Sequence, residues 1–127
     1  MKFIEYNLTD INGNSNCVIR SLCKILNKEY DDVLNGLLDT AKTLNNESFN
    51  DIPVFEEYMK QNNIIKIDIE KDKQIKDLKL DNGSYIVFCY NKGDFYHMIP
   101  IIDNTVYDKR IDSLELYTIS IYKENKK

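Results

Sequence analysis

After the polar stretch Asn12-Gly13-Asn14-Ser15-Asn16, apolar residues recur at Val18, Leu22, Ile25 and Leu26, one face of a helical period, and predict a helix. Asn16 stands where an N-cap is needed, since its short side chain can accept from the unpaired N–H groups of the first turn. A second helix is predicted through Tyr30, Val33, Leu34, Leu37, Leu38 and Ala41, with Asp31 and Asp32 in the first turn, where the helix dipole favours negative charge. Asp51-Ile52-Pro53 starts a third, because proline is tolerated in a first turn, and Val54, Phe55, Tyr58 and Met59 form its apolar face.

The pattern changes after Asn62-Asn63. Residues 64–69 are rich in isoleucine and alternate apolar with polar, as a half-buried strand should. Asp81-Asn82-Gly83 marks a turn before Ser84–Tyr90, a continuous apolar run that fits a strand buried on both faces. Asn91-Lys92-Gly93-Asp94 turns again, and further strands are predicted over 95–102, 105–110 and 114–122, the first two joined tightly by Asp103-Asn104. Helices first and an antiparallel sheet second is the α+β arrangement. With 127 residues, 4 Gly, 2 Pro and no repeat or low-complexity stretch, the chain reads as one domain over 1–122 with a charged tail at 123–127.

Charge narrows the function classes. Seventeen Lys+Arg against 21 Asp+Glu leave a net charge of -4, so no basic footprint argues for nucleic acid or for an anionic membrane. No stretch is apolar for the length of a membrane span, and the N-terminus meets charge before any run of signal-peptide length. Three Cys, odd in number and not closely paired, make no disulfide framework, and a reducing, cytoplasmic setting is expected. One His and three Cys lack the spacing of a structural zinc site, and the alternation of Asp68, Glu70 and Asp72 with Lys71 and Lys73 lacks a calcium loop's pattern and reads as a solvated edge. Neither a metal nor a cofactor is expected. The nine Tyr are spread over the elements without a base-stacking pattern and read as packing residues.

Against that background three positions stand out. Cys17 follows the N-cap directly, where unpaired N–H groups and the helix dipole favour an anion; a thiolate or a small buried hydrophobe would both suit the place. His97 is the chain's single imidazole and shares one face of its strand with Ile99 and Ile101. A two-residue hairpin loop at Asp103-Asn104 pairs Ile102 with Thr105 and, counting back, Ile99 with Asp108. Asp108 then lies diagonally across from His97, about 7 Å away between backbones, a gap that side chains can close. Asp112 is the alternative carboxylate on that face, and a one-residue slip in register would turn both away. Pro100 inside the ladder signals an irregularity. Cys23 and Cys89 read as core, and Arg20, one turn beyond Cys17, reads as a solvated side chain.

The residues 16–22 around Cys17, the helix start at 28–33, Gly83-Ser84-Tyr85-Ile86-Val87, the stretch 97–103 with His97, and Val106-Tyr107-Asp108 together resemble the small papain-like cysteine peptidases. The compact C39-like domains of bacterial and phage origin are the most similar: their helical half carries the Cys at a helix start, and their antiparallel sheet carries His and then Asp. The resemblance spans nearly the whole chain. It implies a papain-like fold and thiol-dependent hydrolysis of a protein or peptide, with Cys17 as nucleophile, His97 as general base and Asp108 as orienter. In that family the oxyanion donors are usually the Cys backbone N–H and a Gln in the preceding loop. Ile11 stands in the Gln place, so Asn12 or Asn14 becomes the amide candidate. The same scaffold without activity would be a binding protein, for example a phage-encoded inhibitor of a host protein.

Overall fold

The computed structural model describes residues 1–69 and 72–125. The fold is α+β: three helices, α1 (Cys17–Leu26), α2 (Tyr30–Thr43) and α3 (Ile52–Gln61), pack on a six-stranded sheet of β1 (Lys2–Glu5), β2 (Ile64–Ile67), β3 (Ser84–Tyr90), β4 (Tyr96–Ile102), β5 (Thr105–Asp108) and β6 (Tyr117–Glu124). The strand order is β1-β5-β4-β3-β6-β2. Alternation along the central strands assigns their side chains to two apolar layers. Ile86, Met98 and Tyr122 face the helices and pack with Leu22, Val33, Leu37, Val54 and Met59. Tyr85, Val87, Cys89, Ile99, Ile101 and Ile121 face the other way, under Phe3, Leu78, Leu114 and Leu116. Both faces of β3 are therefore covered, which is why its sequence is continuously apolar.

Local chemistry fixes the helix ends. The Asn16 side-chain oxygen accepts from the Val18 and Ile19 N–H groups at 2.9 and 3.1 Å, and α1 ends at Asn27 in the left-handed conformation. Pro53 sits in the first turn of α3. Asp103 and Asn104 both have positive φ, 48° and 60°, as a tight two-residue hairpin requires, and Ile102 pairs with Thr105. The β4–β5 ladder covers only that pair and Ile101 with Val106. It stops at Pro100, whose N–H would have faced β5 in this register and does not exist. The expected pairing of Ile99 with Asp108 lies beyond the end of this ladder.

Two expectations about the sheet need correction. It is mixed rather than antiparallel, because Lys2–Glu5 runs parallel to β5, with Lys2 beside Thr105 and Glu5 beside Asp108. This edge strand is short and largely exposed, so it carries no periodic signal; Phe3 alone packs toward the core. The last strand starts later and ends later than 114–122. Ile111–Glu115 forms a 3-10 turn whose Leu114 packs on the outer layer, while β6 continues through Lys123 and Glu124, paired with Ile65 and Ile64. Two residues of the expected tail are therefore sheet. In the acidic alternation, Asp72 accepts from the Tyr90 hydroxyl at 2.9 Å, while Glu70 and Lys71 lie outside the described residues, as do Lys126 and Lys127 in the tail. Among the described residues no helix is long and apolar enough to cross a membrane.

Candidate active site

Helix α1 lies against β4, and the Ser21 hydroxyl donates to the Met98 carbonyl at 3.1 Å, fixing the helix start beside the strand that carries His97. Where the β4–β5 ladder ends, side chains from α1, β4 and β5 converge. His97 Nε2 lies 2.7 Å from Asp108 Oδ2, with the two side chains 14% and 3% exposed. Because Nε2 is engaged by the carboxylate, Nδ1 is the ring nitrogen left to face Cys17, which lines one hollow with His97. Phe95 stacks on the His97 ring with centroids 5.6 Å apart, which further limits its rotation.

The electrostatics follow from these contacts. Burial alone would raise the Cys17 thiol, but the hydrogen bond and charge of His97, the Met98 N–H and the Arg20 charge outweigh it and hold the thiol below its ordinary value. Burial opposes the imidazolium too, yet bonding to Asp108 and Cys17 raises His97 to about 9. Asp108, despite burial, is lowered to about 2 by His97, the Ser113 hydroxyl and the Lys109 backbone N–H. The three shifts point one way: each favours the charged form of its group, the Cys17 thiolate, the His97 imidazolium and the Asp108 carboxylate.

Several candidates are placed differently. Asp112 is exposed and pairs with Arg110 at 2.9 Å; it borders the same hollow as His97, but the carboxylate on the imidazole is that of Asp108. Asn12 and Asn14 are exposed and bound to Asp10: the Asp10 carboxylate accepts from both backbone N–H groups, at 2.9 and 2.8 Å, and from the Asn14 side chain at 3.0 Å. Neither lines the hollow beside Cys17. Arg20 is not solvated; it is 5% exposed, with Nη2 3.2 Å from Asp108 Oδ1 and Nη1 2.7 Å from the Ser15 hydroxyl. Cys23 and Cys89 are 4% and 0% exposed, and burial pushes both thiols up, Cys23 to about 11.

His97 borders two hollows. The one on the Cys17 side, about 170 Å³, is lined by Cys17, Asn50, Ile52, Phe55, Phe88 and Tyr96 among others. The one on the Asp108 side, about 320 Å³, is bordered by Phe95, Lys109, Arg110, Ser113 and Leu116. Sequence reasoning missed Asn50 and Ser113. Asn50 sits in the loop before α3, and its Oδ1 accepts from the Asn16 Nδ2 at 3.5 Å, which brings it to the start of α1 and leaves its own side-chain amide as a donor. Ser113 lies in the 3-10 turn after β5 and donates to Asp108 Oδ2, and no local pattern marks such a contact. Arg20 carried one legible signal, its place one turn from Cys17.

The Cys17 N–H is not taken by the Asn16 cap, so it is available as a donor at the helix start. Among the described residues no group of His, Cys, Asp and Glu side chains could hold a metal ion. No family model, curated protein or solved structure matches the chain.

Proposed function

We propose that the chain is a thiol-dependent hydrolase of papain-like type, acting on a peptide or isopeptide bond. The observation that carries the reading is one arrangement: Cys17 at a helix start, His97 lining the same hollow and lowering the thiol, and Asp108 Oδ2 2.7 Å from His97 Nε2. The N–H groups of the helix start and the imidazolium favour the Cys17 thiolate, the buried carboxylate favours the imidazolium, and a merely structural cysteine needs none of them.

In this scheme the Cys17 thiolate attacks the substrate carbonyl carbon. A C–S bond forms, the C–N bond breaks, and His97 gives its Nδ1 proton to the leaving amine. Water then attacks the acyl-Cys17 thioester while His97 accepts its proton, and the acid and the thiolate are regenerated. Asp108 holds the ring and remains ionised. The backbone N–H of Cys17 and the amide of Asn50 are the donors on hand for the developing oxyanion, in place of Asn12 and Asn14. The partner is then a protein or peptide substrate, with no nucleic acid, membrane or cofactor taking part, in a reducing, cytoplasmic setting.

Acyl trapping tests this. Incubating the protein with a panel of peptidyl esters and amides, then mapping adducts by mass spectrometry, should find the acyl group on Cys17. The adduct should be absent in Cys17→Ala, and its formation should slow strongly in His97→Ala. No acylation by any ester would refute hydrolysis and leave a papain-like binding protein, such as a phage-encoded inhibitor of a host protein, as the account of the scaffold.

A further inference from the structure

We propose that Arg20 is a positioning residue for this site, acting through Asp108 to keep His97 aligned with Cys17. The inference rests on the hydrolase reading above and concerns a residue that the three-residue chemistry does not include.

Arg20 follows Cys17 by one helical turn, so the two side chains leave α1 on neighbouring parts of one surface. Cys17 lines one hollow with His97, and Arg20 Nη2 meets Asp108 Oδ1 at 3.2 Å. His97 and Asp108 are themselves bonded, so the contacts close into a ring: α1, Cys17, His97, Asp108, Arg20 and back to α1. Such a ring removes the freedom that an open relay would keep. Asp108 has two oxygens, and each has its own work: Oδ2 takes His97 and Ser113, and Oδ1 takes Arg20. A carboxylate held at one oxygen only can turn about its last bond; held at both, it presents Oδ2 to the imidazole in a fixed plane.

Arg20 is itself tied down. Its Nη1 donates to the Ser15 hydroxyl at 2.7 Å, its carbonyl accepts from the Tyr6 hydroxyl at 3.3 Å, and the residue is 5% exposed. Burying a guanidinium and a carboxylate together costs desolvation that charge neutralisation alone does not call for, whereas a guanidinium that spans from the nucleophile's helix to the orienter's strand sets the distance between them.

The test is the pH profile of Cys17 alkylation by iodoacetamide in wild type, Arg20→Met and Arg20→Lys. Loss of the clamp loosens Asp108 and removes a cation near the thiolate, and both effects move the acid limb of the profile upward. A rise of about one pH unit is expected in Arg20→Met, seen as a roughly tenfold slower reaction below the limb. Arg20→Lys should recover part of the shift, since it restores the charge without the fork. Ser15→Ala, in an exposed loop, should move the limb the same way by less and serves should Arg20→Met fail to fold. A limb that stays in place or moves down in folded Arg20→Met, or in Ser15→Ala if that variant must stand in, overturns the inference. A wild-type Cys17 that titrates as an ordinary thiol would instead bring down the hydrolase reading, and this inference with it.

Discussion

Replacing Asp108 by alanine should destabilise the protein severely, and removing Arg20 as well should restore much of the loss. The Arg20 and Asp108 side chains are 6% and 3% exposed. Deleting the carboxylate leaves a buried cation without its counter-charge, and leaves His97 Nε2 and the Ser113 hydroxyl without an acceptor. Breaking one side of a buried ion pair costs about 3–5 kcal/mol, because the partner's desolvation is no longer offset. Against a total stability of about 5–15 kcal/mol for a domain of this kind, that is a large fraction. Arg20→Met in the Asp108→Ala background replaces the stranded cation by an apolar chain of similar length, so about 2–3 kcal/mol should return. Urea unfolding followed by far-ultraviolet circular dichroism measures both, and urea leaves the ionic strength unchanged. A cost below about 1 kcal/mol for Asp108→Ala, or a double variant as unstable as the sum of the singles, would refute the reasoning.

Further tests bear on single features. Asp108 is lowered from 3.8 to about 2 in the folded state, so its contribution to stability is present above pH 3.8 and is lost as pH falls from there toward 2; thermal melts over pH 2–5 should show a steeper decline for wild type than for Asp108→Asn, and parallel curves would contradict this. Asn16→Ala removes the cap that bonds two N–H groups of α1 and should cost about 1 kcal/mol in urea unfolding, with an unchanged midpoint as the contrary result. Gly36→Ala should destabilise α2 by about 1–3 kcal/mol although alanine is the better helix former, because its Cβ would collide with the buried Tyr58 ring; a raised melting temperature would count against it.

Much of the architecture is legible in the sequence because it rests on local rules. The three helices follow from the spacing of residues such as Val18, Leu22 and Ile25, and the Asp103-Asn104 turn fixes how β4 meets β5, hence that Asp108 falls within reach of His97. What the sequence hides depends on partners distant in the chain. Lys2–Glu5 becomes a strand only because the exposed edge of β5 offers it hydrogen bonds. Arg20 looks solvated on a helical wheel, and only the placement of α1 over the end of β5 buries it against Asp108. Likewise Asn12 and Asn14 sit in the loop expected to serve Cys17, yet Asp10 gathers that loop into its own turn, while Asn50 reaches the hollow from the loop before α3.

The claim that Cys17 and His97 form a thiolate–imidazolium pair is tested most directly by the pH dependence of iodoacetamide labelling, with each site assigned by mass spectrometry, in wild type and His97→Ala. Cys17 should label with an acid limb below the free-thiol value of about 8.5, while the buried Cys23 and Cys89 label only on unfolding. In folded His97→Ala the limb should move up toward the free value. A Cys17 that titrates like a free thiol in wild type, or one whose profile ignores the His97 substitution, would contradict the pair and the chemistry built on it.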